Sequence, residues 1–452
     1  MSLLDRLSRD GHETAVVGFG KSGVAAGVLL RAHGVKVYAS ELATTPAAQR
    51  WADELRAAGA EVELGGHDLA RIAKAAVMVV APGVPPAAPP CRAAIDAGVP
   101  VLAEVDLGYT ALPQTRFVAV TGTNGKTTTT SLVAHLMRAI GFDDAVAAGN
   151  IGLPLCDVAR RPKAPRWVAL ELSSFQLHDC PHLRPEIAAL LNLAPNHLDR
   201  YATLEEYYGD KALLFRNADT GSLTISNLDD EAVQAMVSTV PGRHLRFSVL
   251  REGDAWFDRD AAWLMLGRDR LLRRNELLLL GDHNVLNALT AALVARELGG
   301  SLEQIADGLR SFRAIEHRVE PVREVDGVLW INDSKSTNVT STAVAIAALD
   351  RPFVLLLGGR HKGEPYTRLA DVMAGRCRAV VAYGESGDLV EGDLGDRVKV
   401  VRAGAFPEVL AAARGLASPG DAVLLSPACS SYDMFDNYEQ RGTQFRRLVE
   451  AF

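Results

Sequence analysis

No apolar run in this chain approaches the roughly 18 residues that a membrane helix needs, which argues against a spanning segment. Cysteine is scarce. Cys91, Cys156, Cys180, Cys377 and Cys429 lie far apart with no CxxC pair, so no disulfide framework is expected. Excess basic charge is missing as well: 48 Lys and Arg stand against 55 Asp and Glu, a net charge of −7. A broad nucleic-acid footprint usually needs a basic surface, so none is expected. The first ten residues mix acids and bases without an apolar signal core. Internal repeats and low-complexity tracts are absent too. The expectation is a cytoplasmic enzyme with reduced thiols and neither nucleic-acid nor membrane partners. The bulk composition, 48% hydrophobic and 23% charged, is that of a globular protein, and 452 residues exceed one ordinary core.

What the chain does contain is glycine at strand ends. Phe117 to Val120 reads as a buried parallel strand that breaks into Gly122-Thr123-Asn124-Gly125 and then into a helix carrying Lys126, Thr127 and Thr128. A strand, glycine turn and helix in this order surround an anion with backbone N–H groups, and the helix N-terminus adds partial positive charge. Lys126 is placed to reach the outer phosphates of a nucleoside triphosphate, and the Thr127 hydroxyl to hold Mg²⁺. The loop is shorter than GxxxxGK[ST], since Val120 stands where that pattern has its first glycine.

Three α/β blocks follow from the pattern of strands and turns. Residues 1–108 open with an apolar strand running into Gly18-Phe-Gly20-Lys-Ser22-Gly23, a GxGxxG turn, with Glu41 at the end of the next strand. Such a turn fits a nicotinamide cofactor, another phosphorylated nucleotide, or tight helix–strand packing alone. Residues 109–314 hold the phosphate loop, strands near Trp167–Leu170 and Ile187–Asn192, and short strands around 222–280. The block closes with Gly281-Asp-His-Asn284-Val-Leu-Asn287 opening an alanine-rich helix. Residues 315–452 return to alternation, with strands near Leu329–Asn332, Phe353–Leu357, Ala379–Val381, Val398–Arg402 and Ala422–Leu425. The expected class is α/β in three domains: Rossmann-like, P-loop ATPase-like with a mostly parallel sheet, and Rossmann-like again.

Four further constellations lie at strand ends. Glu171, followed by Ser173 and Ser174, can sit over the phosphate loop as an oxygen ligand to Mg²⁺. His197, in Asn196-His197-Leu-Asp199-Arg200, can touch a metal or substrate, or make a structural hydrogen bond. The loop from Asn332 to Asn338 offers Asp333 to ribose hydroxyls and Lys335 with Thr337 to an anion, or is a solvated turn. The fourth pairs Gly358-Gly-Arg-His-Lys362-Gly363 with Ser426-Pro-Ala-Cys-Ser-Ser431. There a basic glycine loop facing a Ser-rich helix N-terminus suits a small carboxylate ligand. Cys429 has no base paired with it by position, and buried packing is its expected role.

Gly122-Thr-Asn-Gly-Lys-Thr127 with Gly149-Asn150-Ile-Gly152, Glu171-Leu-Ser-Ser-Phe-Gln-Leu177 and His197-Leu-Asp-Arg-Tyr201 resembles the Mur ligases of peptidoglycan synthesis. So do His283-Asn284, His317-Arg318, Asn332-Asp-Ser-Lys-Ser-Thr-Asn338, Gly358-Gly-Arg-His-Lys-Gly363 and the tail from Ser426 to Gly442, across nearly the whole chain. The GxGxxG opening and the tail resemble the D-glutamate-adding branch of that family. The resemblance implies an ATP-dependent ligase that activates the carboxylate of UDP-N-acetylmuramoyl-L-alanine as an acyl phosphate. The amine of D-glutamate then attacks it, releasing phosphate.

The resemblance also assigns roles. Lys126 and Mg²⁺ on Thr127 neutralise the phosphates, and a second Mg²⁺ is held by Glu171, His197 and Lys211 as a carbamate; by sequence alone Lys211 is an ordinary helix-surface lysine. Gly122, Thr123, Asn124, Gly125, Thr128, Asn284, Asn287, Arg318 and Asp333 face ATP. Ser22 faces the uridine diphosphate, and Asn150, Ser173 and His197 the muramoyl-alanine part. Lys335, Thr337, Lys362, Ser431 and Tyr438 face glutamate, and a monomer is implied. Asn196, Ala81 and Arg360-His361 depart from the family pattern, which expects an Asp, a Ser and an acid there. The residues alone leave open L-glutamate as substrate, an ATP-gated switch, and a nicotinamide oxidoreductase on the first block.

Overall fold

In a computed structural model, residues 3–196 and 201–452 are described, and they form three β-sheets. The first comprises β1 (Glu13–Val17), β2 (Lys36–Glu41), β3 (Glu61–Leu64), β4 (Val77–Val80) and β5 (Val101–Ala103), all parallel in the order β3-β2-β1-β4-β5. Val16, Val17, Met78 and Val79 are buried at its centre. Near-continuous apolar strands of this kind follow from a parallel sheet covered by helices on both faces.

The second sheet has nine strands. These are β6 (Arg116–Thr121), β7 (Val146–Gly149), β8 (Trp167–Glu171), β9 (Ile187–Leu190), β10 (Leu223–Asn227), β11 (Arg243–Ser248), β12 (Ala255–Asp258), β13 (Trp263–Leu266) and β14 (Asp269–Arg273). Their order is β14-β13-β12-β11-β10-β9-β6-β8-β7, with antiparallel pairing confined to β12–β13 and β13–β14. The short strands expected around 222–280 thus extend the central sheet at one edge. β6 lies between β8 and β9, so three strand ends meet where the phosphate loop begins.

The third sheet contains β15 (Glu320–Val325), β16 (Val328–Asn332), β17 (Phe353–Gly358), β18 (Cys377–Tyr383), β19 (Val400–Arg402) and β20 (Ala422–Leu425), ordered β15-β16-β20-β17-β18-β19. Only the β15–β16 hairpin is antiparallel. β20 pairs with both β16 and β17, so the loops leaving these three strands open side by side at their carboxyl ends.

The chain forms two compact units, Met1–Arg274 with Leu286–Ser311 and Asn275–Val285 with Phe312–Phe452. The first two sheets therefore share a unit. Helices Glu104–Thr110 and Leu155–Ala159 pack at their seam, where Cys156 N donates to Glu104 Oε1 at 2.6 Å and Ala103 N to Asp179 O at 2.7 Å. The expected helix N-terminus in the Ser-rich segment is corrected. Residues 426–437 are irregular, and the helix starts only at Tyr438, capped by Asn437, whose Oδ1 accepts from Gln440 N at 2.7 Å. Ala428 takes a left-handed conformation (φ 55°), so the chain is not helical directly after Pro427. No helix among the described residues is long and apolar enough to cross a membrane.

Candidate functional site

β6 ends at Thr121, and the chain turns through Gly122 (φ 151°) into Gly125 (φ 81°), which precedes helix Lys126–Ala139. Both glycines are sterically required. A Cβ at Gly122 would lie 3.0 Å from Leu191 Cβ, and one at Gly125 only 2.5 Å from Asn287 Oδ1. No side chain caps the helix, so its first N–H groups face the loop's concave side.

The loop is fastened from β9. Asn192 Oδ1 accepts from Asn124 N at 2.8 Å while its Nδ2 donates to Asn124 O at 3.1 Å, and Asn192 O accepts from Thr123 N at 2.9 Å. Thr123 Oγ1 donates to Ala194 O at 3.1 Å. The sequence places Asn192 at a strand end beside His197 but assigns it no role; that it fastens the glycine loop emerges only from the fold. Asn287, expected to face ATP, is buried under the loop and accepts from Thr129 Oγ1 at 3.0 Å.

Two lysines share one carbonyl. Lys126 Nζ donates to Gly122 O at 2.9 Å and Thr123 O at 2.8 Å, and Lys211 Nζ donates to Gly122 O at 2.9 Å. Lys211 is 1% exposed, which corrects its reading as a surface lysine. It leaves helix Leu204–Ala212 on the face that also buries Tyr207, and its Nζ lies 4.7 Å from the Tyr207 ring centroid. Burial, reinforced by the neighbouring Lys126 charge, lowers its pKa to about 6, leaving a neutral amine at pH 7.

The pairing of β6 with β8 sets Glu171 opposite Val120 at the root of the loop. Its Oε1 accepts from Asn150 Nδ2 at 3.0 Å, whereas the buried Oε2 has no hydrogen-bond partner. A buried acceptor-only oxygen left in this state suits a hard cation. Among the described residues no three His, Cys, Asp or Glu side chains converge as a metal cluster, and His197 lies outside them. Thr127 and Thr128 occupy the first helical turn, both half-buried.

Ser173 is the N-cap of helix Ser174–His178, in a reciprocal capping box with Gln176. Ser22 lies in the first turn of helix Lys21–Ala32, beside the GxGxxG turn. Glu41 closes that turn: its two oxygens accept from Phe19 N at 2.7 Å and Ala43 N at 2.8 Å.

In the second unit, the loop after β16 carries Asp333, 3% exposed. Its Oδ1 accepts from Val319 N at 3.1 Å and its Oδ2 from Ser426 Oγ at 2.7 Å. Burial raises its pKa to about 6 against the opposing pull of Ser336, Ser426, Val319 N–H and the Arg318 charge. Asp333 thus joins the Arg318 segment to the loop after β20. His317, buried with φ 64°, packs against Gly442 and lies 2.9 Å from Asn332 Nδ2 through Nδ1. Asn284 is buried and donates from Nδ2 to Leu280 O at 2.8 Å.

The loops expected to bind a carboxylate ligand meet at Lys362, whose Nζ donates to Thr337 Oγ1 at 3.3 Å. Arg360 and Ser430 exchange backbone hydrogen bonds at 2.9 and 3.1 Å, which ties the glycine loop to the Ser-rich segment. Ser431 is buried at 2% exposure. Lys335 Nζ stands 5.3 Å from the Tyr438 ring centroid, and the Tyr438 carbonyl accepts from Ser334 Oγ at 2.8 Å. Cys429 is buried as expected, 2.7 Å from Tyr366 OH, and burial holds its thiol above the ordinary range.

Fold and loop together define a phosphate-loop α/β protein. Comparison with known proteins narrows that class. Residues 12–103 match the Mur ligase MurD-like N-terminal domain, 120–295 the Mur ligase middle domain, and 317–429 the Mur ligase glutamate ligase domain. The UDP-N-acetylmuramoylalanine–D-glutamate ligase of Acidobacterium capsulatum is 39% identical over 448 residues, covering 98% of this chain and 96% of the relative. The ligase of the same name from Salinibacter ruber is 42% identical over 454 residues, covering 96% and 97%. Solved structures of UDP-N-acetylmuramate-alanine ligase MurC from Thermotoga maritima (19% identity, TM-score 0.61, covering 97% of this chain and 99% of that one) and of MurF from Acinetobacter baumannii (18%, 0.60, 92% and 91%) share the fold. The chain belongs to the Mur ligase family.

Proposed function

We propose that this chain is the ATP-dependent ligase that joins D-glutamate to UDP-N-acetylmuramoyl-L-alanine in peptidoglycan precursor synthesis. The observation that carries the chemistry is the pair of lysines on Gly122 O beside the unpartnered oxygen of Glu171. Phosphoryl transfer needs positioning and charge neutralisation more than covalent help from the protein. Gly122, Thr123, Asn124 and Gly125, with the N–H groups of Lys126, Thr127 and Thr128, would cradle the phosphates of ATP. Lys126 would turn from the loop carbonyls to the outer phosphates. The substrate's carboxylate oxygen then bonds to the γ-phosphorus as the bond to ADP breaks. The glutamate amine adds to the acyl carbon, loses a proton, and expels inorganic phosphate.

Bound Mg²⁺ would neutralise charge on the transferred phosphoryl group. Thr127 would hold one such ion, and Glu171, His197 and Lys211, the last as a carbamate, would hold a second. A neutral amine is the form that adds to CO2, and the low pKa of Lys211 supports that chemistry. Asn150 would orient Glu171 and meet the muramoyl-alanine part with Ser173, while Ser22 would approach the diphosphate from the GxGxxG turn. In the second unit Asn284, Arg318 and Asp333 would serve ATP. Lys335, Thr337, Lys362, Ser431 and Tyr438 would serve the two carboxylates of glutamate. Mass spectrometry of the reaction product tests this reading. A muramoyl product heavier by one glutamyl residue with D-glutamate supports it, and the same product only with L-glutamate overturns the stereochemistry.

A further inference from the structure

At the amino ends of β6 and β9 the first unit holds a cavity of about 420 Å³ that takes no part in the chemistry above. Leu3 and Arg6 line it from helix Leu3–Asp10, Tyr109 and Thr110 from helix Glu104–Thr110, and His182 and Glu186 from the segment that enters β9. Leu3 and Arg6, three residues apart, share one face of their helix, while Leu4 and Leu7 are buried in the core around the first sheet. The floor is apolar: Phe117 is buried with its ring 5.0 Å from that of Tyr109, and Leu112 is buried in the same core. The phosphate loop follows the other end of β6, roughly 15–20 Å away at ~3.3 Å per residue. The cavity is therefore separate from the catalytic residues, and its volume suits a small organic molecule.

Most polar groups of the lining are already committed. Glu186 accepts from Phe117 N at 2.7 Å and pairs with Arg116 at 3.4 Å. Tyr109 OH donates to Arg184 O at 3.1 Å, Thr110 Oγ1 to Leu107 O at 2.8 Å and Thr115 Oγ1 to Pro165 O at 2.8 Å. Two groups stay open. The exposed Arg6 guanidinium makes no hydrogen bond or ion pair with a described residue. His182 is held from behind by Asp106, whose side chain is 0% exposed: Oδ1 accepts from His182 N at 3.0 Å and Oδ2 from Nδ1 at 2.7 Å. A carboxylate only accepts, so Nδ1 carries the proton and Nε2 of the neutral ring is left as an acceptor. An apolar floor of ring size, one cation and one fixed acceptor therefore face a common space.

We propose that this cavity is a second ligand site, for a small aromatic carboxylate that also carries a hydroxyl. The ring lies against Tyr109 and Leu112, the carboxylate meets Arg6, and the hydroxyl donates to His182 Nε2. Isothermal titration calorimetry of the full chain with 4-hydroxyphenylacetate tests the assignment, with ADP, Mg²⁺ and D-glutamate at saturation to fill the catalytic residues' own site. One molecule should bind per chain with a Kd below about 1 mM, the scale for a ligand of this size. The uncharged 4-hydroxyphenylacetamide should bind roughly tenfold more weakly, and Arg6→Gln should weaken 4-hydroxyphenylacetate by a similar factor. Phenylacetate, which lacks the hydroxyl, should bind a few-fold more weakly. Thr110→Trp, which fills the cavity, should abolish binding, and Lys362→Ala, in the loop proposed for the amino acid, should leave it unchanged. No saturable binding overturns the assignment, and so does binding that Arg6→Gln leaves intact or that Lys362→Ala removes. Equal affinity for phenylacetate overturns the part given to His182. If Thr110→Trp does not fold, Arg6→Gln decides, since it changes an exposed side chain that no described residue holds.

Discussion

A lysine amine one hydrogen bond from Gly122 O, beside a second amine on the same carbonyl, is disfavoured as a cation both by burial and by repulsion. Its folded pKa of about 6 lies below the ordinary 10.5, so across that window the unfolded chain holds a proton that the folded chain lacks. The contribution of Lys211 to stability therefore rises with pH from about 6 to 10.5, and is least favourable below 6. In CO2-depleted buffer, Lys211→Met should lose that dependence. Its stability relative to wild type, read by urea denaturation, should be greatest at low pH and shrink as pH rises. Its ligase activity should fall by roughly 100-fold or more, the scale of losing one electrostatic group at a phosphoryl-transfer site. Wild-type activity should fall on CO2 removal and return with bicarbonate. None of this was legible from residue type, because helix Leu204–Ala212 gives no hint that position 211 faces inward. Burial there comes from Tyr207 and the phosphate loop, which sequence spacing does not bring together. Glu171 was legible because an acid that ends an apolar strand can only stand at the sheet's carboxyl edge.

At the scale of elements, the strand ends do most of the placing. Asn192 holds the phosphate loop from β9 through two side-chain hydrogen bonds to Asn124. Asn192→Ala should raise the KM for ATP by roughly tenfold, with the glutamate KM little changed, since two such bonds are worth about 1–3 kcal/mol together. Helix Tyr438–Glu450 packs just as closely. A Cβ on Gly442 would come within 2.2 Å of His317 Nδ1, so Gly442→Ala must displace His317 and the adjoining Arg318. Overpacking of this kind costs about 1–3 kcal/mol. The variant should melt earlier and bind ATP more weakly; unchanged melting would show that the His317 segment gives way without strain. Strands β16, β17 and β20 could be read from their apolar runs, and so could the loops at their ends. The helix after β20 was placed too early. Serines suggested a cap, but the left-handed Ala428 keeps the chain from being helical directly after Pro427, and the helix is capped by Asn437.

For the whole molecule, three sheets were expected and three are present; the first two each open with an apolar strand that runs into a glycine turn, and the third with the β15–β16 hairpin. Their grouping into two compact units was not legible. It depends on the seam between helices Glu104–Thr110 and Leu155–Ala159, where Glu104 and Cys156 meet inside the fold. The residues proposed to bind phosphate lie in the first unit and those proposed to bind the amino acid in the second, and one chain supplies both sets. Light scattering should therefore give the mass of a single chain under conditions where the enzyme is fully active.

The most direct test of the central claim is phosphate release from ATP in the presence of UDP-N-acetylmuramoyl-L-alanine, with D-glutamate, L-glutamate, meso-diaminopimelate or no amino acid. Sustained release that requires both the muramoyl substrate and D-glutamate is the predicted result. Release indifferent to every amino acid would contradict the ligase and leave an ATP-driven switch.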